Sequence, residues 1–93
     1  MWRDALGVRL RRIRQRRGRT LAATARRAGI SPQYLSEVER GRKDPSSEVV
    51  AAVAGALEVT VLEVTTMTVQ DLRRSRVGAG SVRLQAGSLA LAA

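Results

Sequence analysis

The sequence contains neither cysteine nor histidine among its 93 residues. Without them the chain can form no disulfides, none of the usual zinc clusters and no catalytic triad built on His. Lys43 is the one lysine, and it stands in a predicted loop, so Ser–Lys catalysis also lacks a positioned base. We therefore expect no enzymatic activity, no metal site and no cofactor.

Long apolar runs are also missing, because no stretch of about 18 residues is apolar enough to predict a membrane-spanning helix. The opening Met1-Trp-Arg-Asp4 does not begin a signal peptide. These absences and the lack of cysteine favour a cytoplasmic protein that enters no membrane. The length suits one small domain with a modest core.

Positive charge is present in excess and is unevenly placed. The net charge is +9, but residues 1–43 carry 13 basic and three acidic side chains, whereas residues 44–93 carry four and five. A genome-wide preference for arginine would not leave the second half nearly neutral. Charge gathered on one segment is typical of a surface that binds a polyanion, because each neutralised phosphate releases condensed counterions.

The basic half contains a helix-turn-helix pattern. Thr20 can cap a helix whose residues Leu21, Thr24, Ala25 and Ala28 share one face. Gly29 can then adopt the left-handed conformation that ends this helix and turns the chain. Ala25, four residues earlier, is expected at the closest approach of the two helices.

The second helix of the motif begins with Ser31 as cap and Pro32 in the first turn, and Gly41 ends it. Leu35 and Val38 fall on its inner face. The outer positions are Gln33, Ser36, Glu37 and Arg40. Two amphipathic helices separated by glycine also occur in small helical proteins that bind no DNA, but the charge distribution favours DNA binding.

A first helix is predicted over residues 4–17, with Asp4 as N-cap and an apolar stripe of Leu6, Leu10 and Ile13. Arg14 lies beside this stripe, and a charged group near a core usually has a partner. We expect that partner to be Glu39, near the end of the outward-facing helix.

Two further helices are predicted after the motif. Ser46 caps a fourth helix, whose core stripe is Val50, Val53, Ala54 and Leu57. A short fifth helix is capped by Thr60 and holds Val61, Leu62 and Val64, with Val59 and Val61 expected in the core. The predicted fold is all-α, a five-helix DNA-binding domain over residues 1–65 with a short C-terminal extension.

Residues 66–76 are predicted to add one or two helical turns, capped by Thr68. The four apolar residues at positions 64, 67, 69 and 72 exceed what a core supplied by four helices needs. We therefore predict a dimer contact made by Val64, Met67, Val69 and Leu72; the alternative is a terminal helix packed on its own domain. Residues 77–93 are predicted to be a flexible tail, because Gly78-Ala-Gly80-Ser and Gly87-Ser break any periodicity.

The chain resembles the Cro/lambda-repressor-type (XRE-like) helix-turn-helix family over about residues 5–65. The segments that carry the resemblance are Leu10-Arg-Arg-Ile-Arg14, Gly18-Arg-Thr-Leu21, Ala25, Gly29-Ile-Ser31 and Tyr34-Leu-Ser-Glu-Val-Glu-Arg-Gly41. Within this family, residues 31–43 and Ser46-Ser-Glu48 are similar to the ClgR group, which regulates Clp protease genes. The resemblance implies a lambda-repressor-like fold and a buried ion pair between Arg14 and Glu39.

The resemblance also implies how DNA is contacted. The base-reading residues would be Pro32, Gln33, Ser36, Glu37 and Arg40, lying in the major groove. The phosphate-binding residues would be Arg19, Thr20, Leu21, Ser31, Tyr34, Arg42 and Lys43. Pro32 departs from the Gln of some relatives, so it cannot read a base edge through a side-chain hydrogen bond.

Relatives bind as two-fold homodimers, which implies an inverted-repeat operator. The ClgR resemblance implies activation of Clp protease and stress genes, and hence RNA polymerase as a partner. The ending Leu91-Ala92-Ala93 resembles the tag that Clp proteases recognise, so the chain is itself predicted to be a Clp substrate. The alternatives are an antitoxin that represses its own operon and a purely electrostatic coat on nucleic acid.

Overall fold

A computed structural model describes residues 1–80, with side chains through Ser75, and contains no strand in that range. The helices are α1 (Trp2–Arg16), α2 (Leu21–Ala28), α3 (Pro32–Glu39), α4 (Ser47–Ala56) and α5 (Val61–Gly80). The all-α, five-helix prediction is therefore confirmed. The predicted degron Leu91, Ala92 and Ala93 lies outside the described residues.

Across residues 1–80, no single helix is long and apolar enough to cross a membrane. The length and apolar composition of a membrane-spanning segment are reached only when two helical segments, Ser47–Ala56 and Val61–Ser75, are taken together. The chain bends by 102° between them.

Hydroxyl caps start the three helices that follow α1, as the sequence predicts. Each cap residue is extended, and its side-chain oxygen accepts a hydrogen bond from the backbone N–H three residues later. The pairs are Thr20 with Ala23 at 3.0 Å, Ser31 with Tyr34 at 3.0 Å and Ser46 with Val49 at 3.2 Å. These caps set where α2, α3 and α4 begin, and so they define the starts of both helices of the helix-turn-helix.

The start of α1 differs from the prediction. The helix begins at Trp2, with Met1 at the N-cap position, so the assignment of Asp4 as N-cap is wrong. The Met1 carbonyl already accepts from Ala5 N–H at 3.1 Å, which closes the first turn. Asp4 instead lies in that turn, 3.5 Å from the Met1 ammonium, where the helix dipole also favours a negative charge.

The end of the fold differs more, because α5 is one continuous helix rather than a short helix followed by a second capped turn. Thr60 and Glu63 form a reciprocal capping box at its start. Thr68 is not a cap: it is fully buried, and its hydroxyl donates to the Val64 carbonyl at 2.8 Å. The helix crosses residue 65 without a break and continues through Gly80, so residues 77–80 of the predicted tail are helical.

The core lies where α1, α2, α3 and α4 meet the first half of α5. Its largest fully buried side chains include Leu10, Leu35, Leu57 and Val64. Val59 packs against this core, but Val61 is 42% exposed, so its assignment to the core is wrong. Val64 is 0% exposed within the subunit, so its assignment as a dimer contact is also wrong.

An ion pair that the sequence analysis missed joins α1 to α5. Arg9 donates to both carboxylate oxygens of Asp71, at 2.8 Å from Nε and 2.6 Å from Nη2. Both side chains are largely covered, and exposed Arg74 adds a third hydrogen bond at 3.0 Å. Hydrogen bonding from Arg9 holds the pKa of the Asp71 carboxyl below its ordinary value, and burial acts in the opposite direction.

Asp71→Asn is expected to lower the free energy of unfolding by about 1.5–3 kcal/mol at neutral pH, because Arg9 loses its charged partner. The pKa of Asp71 is lower in the folded chain, so its contribution is present above the unfolded-state value of about 3.9. This contribution is lost as the pH falls through the pKa of Asp71 in the folded chain. Urea unfolding should therefore show a difference in unfolding free energy between wild type and variant that narrows below about pH 4.

Asp44→Asn is the matched control, because Asp44 is exposed and forms no ion pair within residues 1–80. Its unfolding free energy should stay within about 0.5 kcal/mol of the wild type. A gap for Asp71→Asn that keeps the same size down to about pH 3 would show that the carboxylate charge is not what stabilises this contact.

Candidate nucleic-acid interface

The turn between α2 and α3 is built on Gly29, which adopts a left-handed conformation with φ of 76°. Its N–H donates to Arg26 O at 3.1 Å, and the N–H of Ile30 donates to Ala25 O at 3.0 Å, so the last carbonyls of α2 are satisfied. Ala25 is completely buried in the core. The turn predicted from the sequence is therefore confirmed, and Ala25 is buried as its predicted position requires.

The second helix of the motif, α3, has one buried face and one open face. Leu35 and Val38 are at most 1% exposed and hold the helix on the core. Among the residues predicted to read bases, Pro32, Gln33 and Arg40 are exposed, whereas Ser36 and Glu37 are half-buried. The structure thus brings all five to the solvent side of one helix, with the middle two closer to the body of the protein.

The orientation of α3 is fixed by the ion pair that the sequence predicts between Arg14 and Glu39. Arg14 Nε donates to Oε2 at 2.7 Å and Nη2 donates to Oε1 at 3.0 Å. The remaining nitrogen, Nη1, donates to the Arg19 carbonyl at 3.0 Å. Because the side chains are only 13% and 6% exposed, this pair ties α1, the loop before α2 and the end of α3 together out of water.

A close backbone contact between α1 and α3 accompanies the ion pair. The Cα of Gly7 lies against the last turn of α3, and a Cβ built there would overlap the Val38 carbonyl oxygen and stand 2.7 Å from that of Glu39. The sequence analysis missed this contact. Its only signal is a glycine inside a helix of otherwise good helix formers, which often marks close packing.

The predicted phosphate-binding residues divide into two groups. Thr20, Ser31, Arg42 and Lys43 are exposed near the helix starts and the loop after α3. Leu21 and Tyr34 are half-buried and pack against the core.

Arg19, which is also predicted to bind phosphate, makes two contacts within the protein. Its Nη1 donates to the Ala56 carbonyl at 3.0 Å, and its Nη2 lies 3.2 Å from Glu58 Oε1. The guanidinium therefore serves the C-terminal end of α4, whose last carbonyls need donors. Its assignment as a phosphate ligand stays a prediction, because these two contacts use only two of the five N–H donors of the guanidinium.

The hydroxyl groups of Thr20 and Ser31 can each accept one hydrogen bond and donate another. Each oxygen accepts the cap hydrogen bond from its own helix, at 3.0 Å in both cases. Each still carries a hydroxyl proton, which can be donated to an acceptor such as a phosphate oxygen. The starts of α2 and α3 therefore present hydroxyl donors to solvent, since both residues are exposed.

The outer face of α5 carries the remaining residues predicted to contact a second subunit. Val69 and Leu72 are half-buried, and Met67 packs partly against the core. Leu62, which the sequence analysis placed in the short fifth helix, is 74% exposed. Leu62, Val69 and Leu72 share one side of the helix at intervals of seven and three residues, so they form a partly exposed apolar stripe.

Known proteins resemble both the sequence and the structure. The family described as "Helix-turn-helix domain" matches residues 5–67. The transcriptional regulator ClgR of Mycobacterium tuberculosis is 47% identical over 57 residues, which are 61% of this chain and 51% of that protein. The chain thus spans about half the length of that relative.

Two crystal structures are also similar. The clp gene regulator ClgR of Corynebacterium glutamicum has 42% identity and a TM-score of 0.71, and the match covers 91% of this chain and 97% of that one. The restriction-modification controller protein C.AhdI of Aeromonas hydrophila has 30% identity and a TM-score of 0.64, covering 66% and 92%. The residues that the family matches, 5–67, include the turn and both helices of the motif.

Proposed function

Because this chain belongs to the helix-turn-helix domain family, as an XRE-type and ClgR-like member, we propose that it is a transcriptional regulator that binds double-stranded DNA at specific sequences. The observation that carries this proposal is the two-sided α3, with Leu35 and Val38 buried while Gln33 and Arg40 are exposed. An α-helix fits the major groove of B-DNA, where each base pair presents a distinct set of donors and acceptors.

The side chains on the outer side of α3 offer complementary chemistry for reading bases. The Gln33 amide can donate to N7 and accept from N6 of one adenine, which is a bidentate contact. Glu37 can accept from a cytosine N4 amino group, and Ser36 can donate or accept. Pro32 offers only an apolar surface, which suits a thymine methyl group.

Contacts to the backbone would fix the position of α3 in the groove. Thr20 and Ser31 can donate their hydroxyl protons to phosphates on the two sides of the motif. Arg42 and Lys43 add positive charge after α3, and the half-buried residues Leu21 and Tyr34 would contribute mainly backbone N–H groups and the phenol hydroxyl. Such contacts carry no sequence information but decide which bases α3 meets.

A homodimer would place two copies of α3 on one face of the duplex. The apolar stripe of α5, formed by Leu62, Val69 and Leu72 and flanked by Met67, is the surface we assign to this contact. Two-fold symmetry of the protein requires an inverted repeat in the DNA, with half-site centres about one helical turn, or roughly 34 Å, apart.

We further propose that the regulated genes include those of Clp proteases and that the protein activates them. The support is the similarity to relatives whose names describe a transcriptional regulator and a clp gene regulator. α2 carries no acidic residue that could contact RNA polymerase, and it exposes Arg26 and Arg27 instead.

Gln33→Ala tests the proposed docking of α3. The variant should lose about 1–3 kcal/mol of discrimination at one base-pair position in each half-site, because the bidentate contact to adenine is lost. The measurement is selection of bound duplexes from a random-sequence pool, carried out in parallel with wild type and variant. Only one position in each half-site of the selected motif should lose its preference.

Gln70→Ala is the control, because Gln70 is also exposed but lies on α5, outside the proposed groove contact. It should return the wild-type motif. If Gln33→Ala also returns the wild-type motif with full preference at every position, then α3 does not lie in the groove as proposed.

A further inference from the structure

A notch of about 310 Å³ opens where α1, α2 and α3 meet. It lies between the first residue of α2 and the outer side of α3, beside the surface assigned to DNA. The residues that line it are Arg11, Arg14, Leu21, Ser36, Glu39 and Arg40. Arg11 comes from α1, an element to which the sequence analysis assigns no contact with DNA.

The charges in this notch do not cancel. Arg14 and Glu39 neutralise each other through their two hydrogen bonds, and the third donor of Arg14 is held by the Arg19 carbonyl. Arg11 and Arg40 form no ion pair with any acid in the described part of the chain. The notch therefore carries a net charge of about +2 from two guanidinium groups on different helices, facing solvent.

We propose that this notch binds a backbone phosphate of the DNA, with Arg11 reaching it from α1 and Arg40 from the C-cap of α3, so that Arg40 contacts phosphate rather than the base expected from the sequence. Guanidinium groups suit a phosphate because their N–H donors lie in one plane and can make two parallel hydrogen bonds. The Ser36 hydroxyl at the same notch adds a donor. The inference rests on the proposed function, since a duplex seated on α3 brings a phosphate to this place.

The fold supplies a matched control in the next residue. Arg12 has the same charge and is also exposed, but one residue along an α-helix turns the side chain by about 100°. Arg12 lines a different groove, together with Val8, Asp71 and Leu72 between α1 and α5. Loss of either arginine changes the net charge equally, so only a direct contact distinguishes them.

The experiment compares Arg11→Gln with Arg12→Gln by measuring DNA affinity across a range of salt concentrations. Neutralising one phosphate contributes about 0.9 to the slope of log affinity against log salt. Because both subunits of the proposed dimer carry the substitution, Arg11→Gln should reduce the steepness by about two, or about one per subunit, and weaken binding roughly 60-fold at 0.1 M salt, for specific and random duplexes alike. Arg12→Gln should keep the wild-type slope.

Urea unfolding of both variants verifies that they fold, and each should remain close to the wild type because both positions are exposed. Equal changes of slope for the two variants would overturn the inference, because they would show a diffuse field rather than a contact at the notch. That failure is distinct from failure of the proposed function. It would leave the effect of Gln33→Ala on sequence preference intact.

Discussion

Glu39→Ala is expected to lower the free energy of unfolding by about 3–5 kcal/mol. The substitution leaves the Arg14 guanidinium only 13% exposed, without the two carboxylate oxygens that accept from it. The pair itself adds little net stability relative to apolar residues, but one buried charge without its partner is costly. A chain of this length has a total stability of roughly 5–14 kcal/mol, so the loss is a large share.

Urea unfolding at neutral pH measures this effect, and Glu37→Ala is the control two residues earlier. Glu37 is half-buried and makes no ion pair with the described residues, so its loss should cost about 1 kcal/mol or less. Replacing both partners, as Arg14→Met with Glu39→Leu, should recover most of the stability. A Glu39→Ala protein within about 1 kcal/mol of the wild type would show that the pair does not restrain α1 and α3.

Gly7→Ala is expected to destabilise the protein by about 1–3 kcal/mol, although alanine normally stabilises a helix interior. The added methyl would meet the backbone carbonyl oxygens of Val38 and Glu39, which no side-chain rotation can move aside. The axis of α1 must therefore shift away from the end of α3. Since Arg14 reaches Glu39 from the same helix, the shift also disturbs the contact that orients α3.

Gly55→Ala is the matched comparison, since Gly55 lies inside α4 and a Cβ there has no neighbour within 4 Å in the described range. This substitution should stabilise the protein by about 0.5–1 kcal/mol through helix propensity. Urea midpoints of the two variants should move in opposite directions. Movement in the same direction would mean that α1 does not pack on α3 at the observed distance.

The helix-turn-helix could be predicted because its signals are local. Ser31 and Pro32 start α3, Thr20 starts α2, and Gly29 takes a backbone conformation that most other residues avoid. The pairing of Arg14 with Glu39 could also be predicted, since a charge beside an apolar stripe requires a partner.

The contacts that the sequence analysis missed depend on distances between helices. Arg9 and Asp71 are 62 residues apart, and nothing in either segment indicates that α1 and α5 bring them together. Arg19 looks like a free cation in a basic region until α4 places the Ala56 carbonyl next to it. Gly7 is close to α3 only once both helices are packed.

Thr68 shows that threonine can occupy either the N-cap or the interior of a helix. A threonine before an apolar residue resembles a helix cap, but inside a helix its hydroxyl can donate to the carbonyl four residues earlier, as it does to Val64. A helix that began anew at Thr68 would leave Val64 at the end of a short fifth helix, where the sequence analysis assigns it to the dimer contact. In the continuous α5, Val64 belongs to the core and Leu62 and Val69 lie further out.

Sequence-specific binding by α3 is the claim on which the account depends, and a ratio of affinities tests it most directly. The affinity of the wild-type protein should be measured for its selected inverted repeat and for a random duplex of equal length at the same salt concentration. Base reading by α3 predicts a preference of about 10³-fold or more for the inverted repeat. Equal affinities that fall together as salt is raised would contradict it, because they would show binding to phosphates alone.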